Sequence, residues 1–236
     1  KFKEKFPQSQ DLYPGEYIID IAKKIIEENK TLNYEDLDTI YPTLSNESLK
    51  YSMKMIKEDL KNLGIKHDNF ISESAIVKEN LVEKTVNKLK NESLVIEGYL
   101  EPPKGEDKRN WKRIKRLIFK STIFGDDSDR ALQKNDGTWT YFANDVAYHS
   151  NKIERNFDGL INILGADHTG YIKRISAAVN ALSKNKVTLN CKVCQLVKLY
   201  KNGKPFKMSK RAGDFVATSD LLKEVNKDSI RFMMLN

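Results

Sequence analysis

Cysteine is scarce in this chain, with two in 236 residues. That excludes a disulfide framework and fits a reducing compartment. The pair is Cys191-x-x-Cys194, but a structural zinc site needs four ligands, and no second paired motif supplies the other two. The three histidines, His67, His149 and His168, stand far from the cysteines and from one another. Cys191 and Cys194 are therefore expected to be ordinary strand residues. The acidic cluster Asp126, Asp127 and Asp129 fails the calcium-loop pattern, because Ala131 and Leu132 stand where a polar ligand and a glycine are needed. No metal site is expected. No apolar run approaches membrane-spanning length, and no apolar stretch follows the basic Lys1–Lys5 start as a secretory signal would require. These absences lead us to expect a cytoplasmic enzyme or binding domain without a membrane partner. There is also no internal repeat and no low-complexity tract.

Hydrophobic residues form 39% of the chain, enough for a sizeable core, and its length suits one large domain or one domain carrying an insertion. The net charge of +8 favours a polyanionic partner, since such a field attracts phosphate backbones. Lysine placed indifferently over a surface would give the same balance, so both readings stay open. The chain opens on Lys1 and closes within Ser229–Asn236, where Asp228 reads as the N-cap of a helix only just begun. A longer natural molecule is expected.

Periodicity predicts the elements. Tyr17, Ile18, Ile21, Ala22, Ile25 and Ile26 share one face of a helix over 16–29. A second helix is expected over 46–63 with Leu49, Met53, Ile56, Leu60 and Leu63 as its stripe, stopped by Gly64. A short strand over 69–72, a helix over 73–89 and a strand over 93–100 follow. The basic run 104–120 reads as a partly helical surface segment, either solvated or in contact with RNA. From Thr138 the pattern alternates. A helix runs from Tyr141 to about Arg155, and 160–164 has the apolar character of a strand buried on both faces. An amphipathic helix comes next, turning Tyr171, Ile172, Ile175, Ala178, Val179 and Leu182 inward. A strand over 192–200 then turns at Asn202-Gly203. Strand, helix, strand in that order implies parallel pairing.

Three motifs carry chemistry. Lys207-Met-Ser-Lys-Arg-Ala-Gly213 places two lysines three apart with a serine, which suits closure over a polyphosphate and neutralisation of charge as pyrophosphate leaves. An exposed basic turn would read the same way. Leu164-Gly-Ala-Asp-His168 lies at the carboxyl end of a predicted strand, where open α/β sheets bind ligands. There Gly165 would allow close backbone approach, Asp167 could accept from a ribose hydroxyl, and His168 could face the same cleft; a simple helix cap is the competing reading. Tyr141 and Asp145 are four apart, hence on one helix face, and a carboxylate beside a ring can cradle a guanidinium through a forked ion pair and stacking. A helix-start carboxylate packed beside a tyrosine is the plainer alternative.

These motifs, with the words around them, resemble bacterial arginyl-tRNA synthetases. The matching text is Tyr13–Lys24, which begins Tyr-Pro-Gly-Glu, Ser121-Thr-Ile-Phe-Gly-Asp-Asp127, Asp136–His149 with its Tyr-Phe-Ala-Asn-Asp core, Gly165-Ala-Asp-His-Thr-Gly170, Gln195–Tyr200 and the lysine loop. The likeness is strong from about Ser121 to Asn236 and looser before it. It implies an α/β class I synthetase catalytic core, with a Rossmann-like parallel sheet, flanking helices and an inserted α+β segment. Residues 1–120 would hold the latter part of the first nucleotide-fold half and an insertion; 121–236 would hold the second half with the lysine loop.

The resemblance further implies ATP-dependent activation of L-arginine to arginyl-adenylate and transfer to tRNA(Arg), with Mg2+ accompanying ATP, by a monomer that needs bound tRNA for activation. Lys207, Ser209 and Lys210 would stabilise the triphosphate in the transition state. Gly165, Asp167, His168, Lys207, Met208 and Lys210 would line the ATP site, and Tyr141, Asp145 and His168 the arginine site. One departure stands out. Class I enzymes carry a His-x-Gly-His type motif, and no two histidines here have that spacing. This stretch alone is therefore expected not to form adenylate. Another class I synthetase, or a non-catalytic tRNA-binding paralogue, remain the alternatives.

Overall fold

The structure is a computed structural model, and it describes residues 15–100, 114–195, 199–201, 203–206 and 216–235. In chain order the elements are α1 (Glu16–Glu28), α2 (Leu37–Asn62), α3 (Glu73–Lys78), α4 (Leu81–Asn91), β1 (Val95–Gly98), β2 (Arg116–Phe119), β3 (Arg130–Ala131), α5 (Tyr141–Glu154), β4 (Gly159–Gly165), α6 (Ile172–Ser183), β5 (Thr188–Cys194), β6 (Leu199–Lys201), β7 (Lys204–Phe206), α7 (Thr218–Glu224) and α8 (Lys227–Leu235). The chain divides into two compact units, Lys1–Asp68 with Val197–Asn236, and Asn69–Leu196. The antiparallel sheet straddles position 120, since β2 before it pairs with β3 beyond it.

In the first unit α1 buries Ile21 and Ile25 of its expected face, while Ile18 and Ile26 stay exposed. The second helix begins nine residues earlier than periodicity predicts. Asp36 caps it by accepting from the Thr39 N–H at 3.2 Å, and Pro42 sits inside it, past the first turn, where it removes one backbone donor. Its expected stripe is not a core face: Leu49 and Ile56 are exposed, and Ile40 is its one buried residue among those described. Gly64 stops it as expected, at φ +71°, where a side chain would strain the backbone. At the other end of the unit Asn226, not Asp228, accepts from the Ser229 N–H and caps α8. β6 and β7 pair antiparallel, as the two arms of the expected hairpin would.

The second unit carries the candidate site. The expected helix over 73–89 is two helices, parted where Asn80 adopts a left-handed conformation with φ +54°. Residues 69–72 form no strand. Within the basic run, 116–119 is the central strand of the antiparallel sheet β1-β2-β3, not helix, and buries Leu117, Ile118 and Phe119; residues 104–113 lie outside the described part. Leu89, Phe119, Leu132, Val146, Ile175 and Ala178 are each at most 1% exposed and belong to one core cluster joining α4, β2, α5 and α6. The small residues Ala177, Ala178 and Ala181 let α6 approach its neighbours closely.

Asp126 is structural, as expected. Arg130 grips it with Nε at 2.7 Å and Nη2 at 2.6 Å, and the Ser121 hydroxyl and Asp127 N–H also donate to it. Burial pushes this carboxyl up, but the donors outweigh burial and hold it below the usual range.

β4 and β5 pair in parallel, Gly159 opposite Thr188 through Gly165 opposite Cys194, with α6 as the crossover. This is the expected strand–helix–strand unit, and the mixed α/β class is as read from the sequence. Two details differ. β4 is not covered on both faces among the described residues: Leu160 is buried, whereas Ile161 and Ile163 are 67% and 64% exposed. The expected strand over 192–200 is two strands, β5 and β6, in separate sheets. Cys191 and Cys194 are free thiols on β5, as expected.

Candidate functional site

Helix α5 starts at a cap, Thr140 accepting from the Ala143 N–H at 3.2 Å. That start sets Tyr141, Asn144, Asp145, Tyr148, His149 and Lys152 along one side of the helix, while Phe142, Ala143, Val146 and Ala147 enter the core. Two cavities flank this side. One, of about 410 Å³, runs between α5 and β4 and includes Asp145, His149, Lys152, Asn162, His168 and Tyr171 in its lining. The other, of about 290 Å³, lies between α3 and α5 and is lined by Ile71, Glu73, Ile76, Tyr141, Asn144, Asp145 and Tyr148. Asp145 borders both.

The smaller cavity offers acceptors and rings. The Asn144 amide donates to Glu73 Oε1 at 2.8 Å, which turns Asn144 Oδ1 away, and that oxygen is buried without a partner among the described residues. An orphaned buried acceptor calls for a donor. With Asp145, the exposed Glu73 and the Tyr141 and Tyr148 rings around it, the opening suits a planar cation whose N–H groups point several ways, and Ile71 and Ile76 provide an apolar wall. Tyr141 is 77% exposed, and Lys134 Nζ stacks 5.6 Å from its ring centroid, so the ring already receives a cation on one face.

A part-buried polar bridge ties α5 to β4. His149 Nδ1 lies 2.8 Å from the Asp145 carbonyl, and its Nε2 lies 2.9 Å from Asn162 Nδ2. Lys152 Nζ donates to Asn162 Oδ1 at 3.1 Å, which fixes the amide's orientation. A carbonyl only accepts and an amide nitrogen only donates, so this imidazole is neutral with its proton on Nδ1. Burial is the main cause that lowers the His149 pKa, with the Lys152 charge adding to it and the Asp145 carbonyl opposing. Burial, then the charge of Arg155, lowers Lys152 as well.

A consequence for pH follows. The folded His149 pKa lies below its unfolded value of about 6.5, so the unfolded chain takes up a proton first as pH falls. The stability that neutral His149 contributes is complete above that value and is lost below it, at no more than about 1.4 kcal/mol per pH unit. Urea midpoints are expected to drop between pH 7.5 and 5.5 in the parent chain. His149→Gln should start lower and change less over that range; an equal slope in both would remove His149 as the cause.

At the carboxyl end of β4, residues Ala166–Tyr171 form a 3-10 turn. Asp167 and His168 sit on it, 3.6 Å apart and both exposed, and His168 reaches the larger cavity. Gly165 is tight for a reason not foreseen: a Cβ there would stand 2.6 Å from Asp167 Oδ1. The structure thus brings His168 to a shared cavity with Asp145, and Tyr141 to another with Asp145. Gly165 and Asp167 stand at the same strand end but outside both linings. Lys207, Met208, Ser209 and Lys210 lie outside the described residues.

Sequence reasoning missed Glu73, Asn144, Tyr171 and the His149–Asn162–Lys152 bridge as site residues. A signal existed for part of this. Asp145, His149 and Lys152 fall at i, i+4 and i+7, and Asn162 is the one polar residue within 160–164.

A parallel strand–helix–strand unit, with polar side chains gathered at the carboxyl end of its first strand, makes this an α/β protein, a class in which such strand ends commonly bind ligands. The family model for the catalytic domain of class I tRNA synthetases, arginine type, matches residues 16–236, and the chain belongs to that family. It is 58% identical, over its whole length, to the arginine–tRNA ligase of Pelagibacter ubique, of which it covers 41%. It is 49% identical over 95% of its length to that of Ehrlichia ruminantium, covering 39% of that protein. A solved structure assigned as an arginyl tRNA synthetase from Campylobacter jejuni superposes with a TM-score of 0.75 at 30% identity, over 99% of this chain and 47% of that one. The chain thus spans about two fifths of the length of the curated relatives it matches.

Proposed function

We propose that the protein is an arginine–tRNA ligase. The carboxylate of L-arginine attacks the α-phosphorus of Mg–ATP, forming a P–O bond to arginyl-adenylate as pyrophosphate departs. The arginyl group then passes to the terminal ribose of tRNA(Arg), releasing AMP. The observation that carries this reading is the cavity between α3 and α5, where the Asp145 and Glu73 carboxylates stand beside the Tyr141 and Tyr148 rings. A guanidinium supplies donors in several directions within one plane and fits such a set; an ammonium on a short stem does not use the rings as well.

In this reading Asp145 pairs with the guanidinium and Tyr141 flanks it, with His168 at the border of the amino-acid and ATP sites. Gly165, Asp167, His168 and Met208 line the ATP site, and Lys207, Ser209 and Lys210 neutralise triphosphate charge in the transition state. The protein's share of the catalysis is positioning and charge stabilisation. A cytoplasmic monomer meeting tRNA through its basic surface completes the proposal. No helix among the described residues is long and apolar enough to cross a membrane.

Pyrophosphate exchange on the full-length protein, with each amino acid in turn and with or without tRNA, tests it. Exchange with arginine alone, dependent on tRNA, is expected. Exchange with another amino acid would move the specificity elsewhere in class I. No exchange, together with salt-sensitive tRNA binding, would make it a non-catalytic tRNA-binding relative. The 236-residue chain by itself is expected to give no exchange, for want of a second histidine at His-x-Gly-His spacing.

A further inference from the structure

Asp145 is held from one side only. The Tyr171 hydroxyl donates a hydrogen bond to Asp145 Oδ2, and Asp145 Oδ1 has no hydrogen bond among the described residues. The donor is itself fixed. Phe142 meets the Tyr171 ring edge-on at 6.2 Å and 83°, and the Arg174 guanidinium stands 5.2 Å over its centroid. Burial first, and then the bond to Asp145, push the Tyr171 phenol above its ordinary range, so it remains protonated throughout any working pH. Tyr171 also closes the 3-10 turn that follows β4, so its bond to α5 spans the two elements that meet at the larger cavity.

The chemistry of the donor matters. A carboxylate χ2 is a broad torsion, and an unheld Asp145 would present either oxygen at many angles. An arginine or lysine in place of Tyr171 would hold the group but also neutralise it and compete with a cationic ligand. A half-buried phenol holds one oxygen and leaves the charge in place. We infer that Tyr171 is a positioning residue for substrate recognition: it occupies one oxygen of Asp145 and aims the other at the guanidinium. This rests on the arginine–tRNA ligase reading above. It replaces the forked ion pair expected from the sequence with a single-oxygen contact from Asp145. The further acceptor for the guanidinium is then Glu73.

The test uses the full-length enzyme with tRNA present. Tyr171→Phe keeps the ring, and with it the contacts to Phe142 and Arg174, and removes only the hydroxyl. We expect the arginine KM to rise about tenfold, with kcat within about threefold and the ATP KM unchanged, as for loss of one hydrogen bond to a charged group. Because Tyr171 acts through Asp145, the effect should vanish in an Asp145→Asn background, whereas a purely structural role would add to it. An unchanged arginine KM in Tyr171→Phe, or additive effects in the double variant, would overturn the inference. Should the parent enzyme activate some other amino acid, the ligase reading fails first and takes this one with it. A parent that uses arginine alongside an unaffected Tyr171→Phe sinks this inference alone.

Discussion

Asp145→Asn in the full-length enzyme is expected to lower kcat/KM for arginine by about 100- to 1,000-fold, the equivalent of about 3–4 kcal/mol for removing one member of a partly buried charge pair. Asn is the informative replacement because its oxygen can still accept from Tyr171, whereas Ala would leave a half-buried phenol without an acceptor. Stability should therefore change little while recognition collapses. The ATP KM should stay within about threefold, since Asp145 lies on the helix side of the cavity and not at the strand end where Gly165 and Asp167 sit. The loss should be steepest for arginine itself and small for an uncharged analogue such as citrulline, which has no guanidinium charge to forfeit. Equal losses for both ligands would show that Asp145 shapes the pocket without pairing with the cation. Steady-state exchange kinetics with both compounds decide between these outcomes.

Phe119→Ala is expected to destabilise the unit Asn69–Leu196 by about 3–5 kcal/mol, a large part of the stability a domain of this size has. Phe119 is wholly inaccessible at the centre of the three-stranded sheet, with Phe124 stacked at 6.4 Å and Phe142 tilted at 6.4 Å. Truncation would remove aromatic contacts to both and open a void that these large neighbours cannot fill without moving. Phe142 is next to Tyr141 in sequence and also packs on Tyr171, so the void would loosen the helix that presents Asp145. The expected sign is a fall in the urea midpoint together with weaker arginine use. Phe119→Leu should lose much less of both. A variant that kept the parent midpoint would mean that the surrounding core can collapse onto the gap.

Both predictions concern helix α5, and α5 shows what a sequence does and does not state. Its extent, its polar side, and the juxtaposition of Tyr141 with Asp145 were legible, because positions four apart on a helix meet whatever surrounds them. The parallel pairing of β4 and β5 was legible for a similar reason, since a helical crossover between two apolar strands leaves few topologies. Charge and apolar character were poorer guides where burial depends on a partner. Leu49 and Ile56 mark a stripe on α2 yet remain exposed, and Arg116 begins a core strand inside what reads as a basic surface run. Ile161 and Ile163 show the same limit on β4. Composition says a residue can be buried, but only a packed neighbour buries it.

The sequence by itself determined the repertoire: the helix–strand–helix order from Tyr141 to Ser183, the candidate groups Tyr141, Asp145, Gly165, Asp167 and His168, and the lysine loop Lys207–Lys210. Only the tertiary structure decided how those groups are held. Asp145 finds Tyr171 26 positions away, Asn144 finds Glu73 71 positions away, and His149 finds Asn162 across the gap between a helix and a strand. Periodicity records how a side chain points about the axis of its own element. Which donor meets which acceptor depends on the register of elements packed against one another, and that is set by the shape of the core between them.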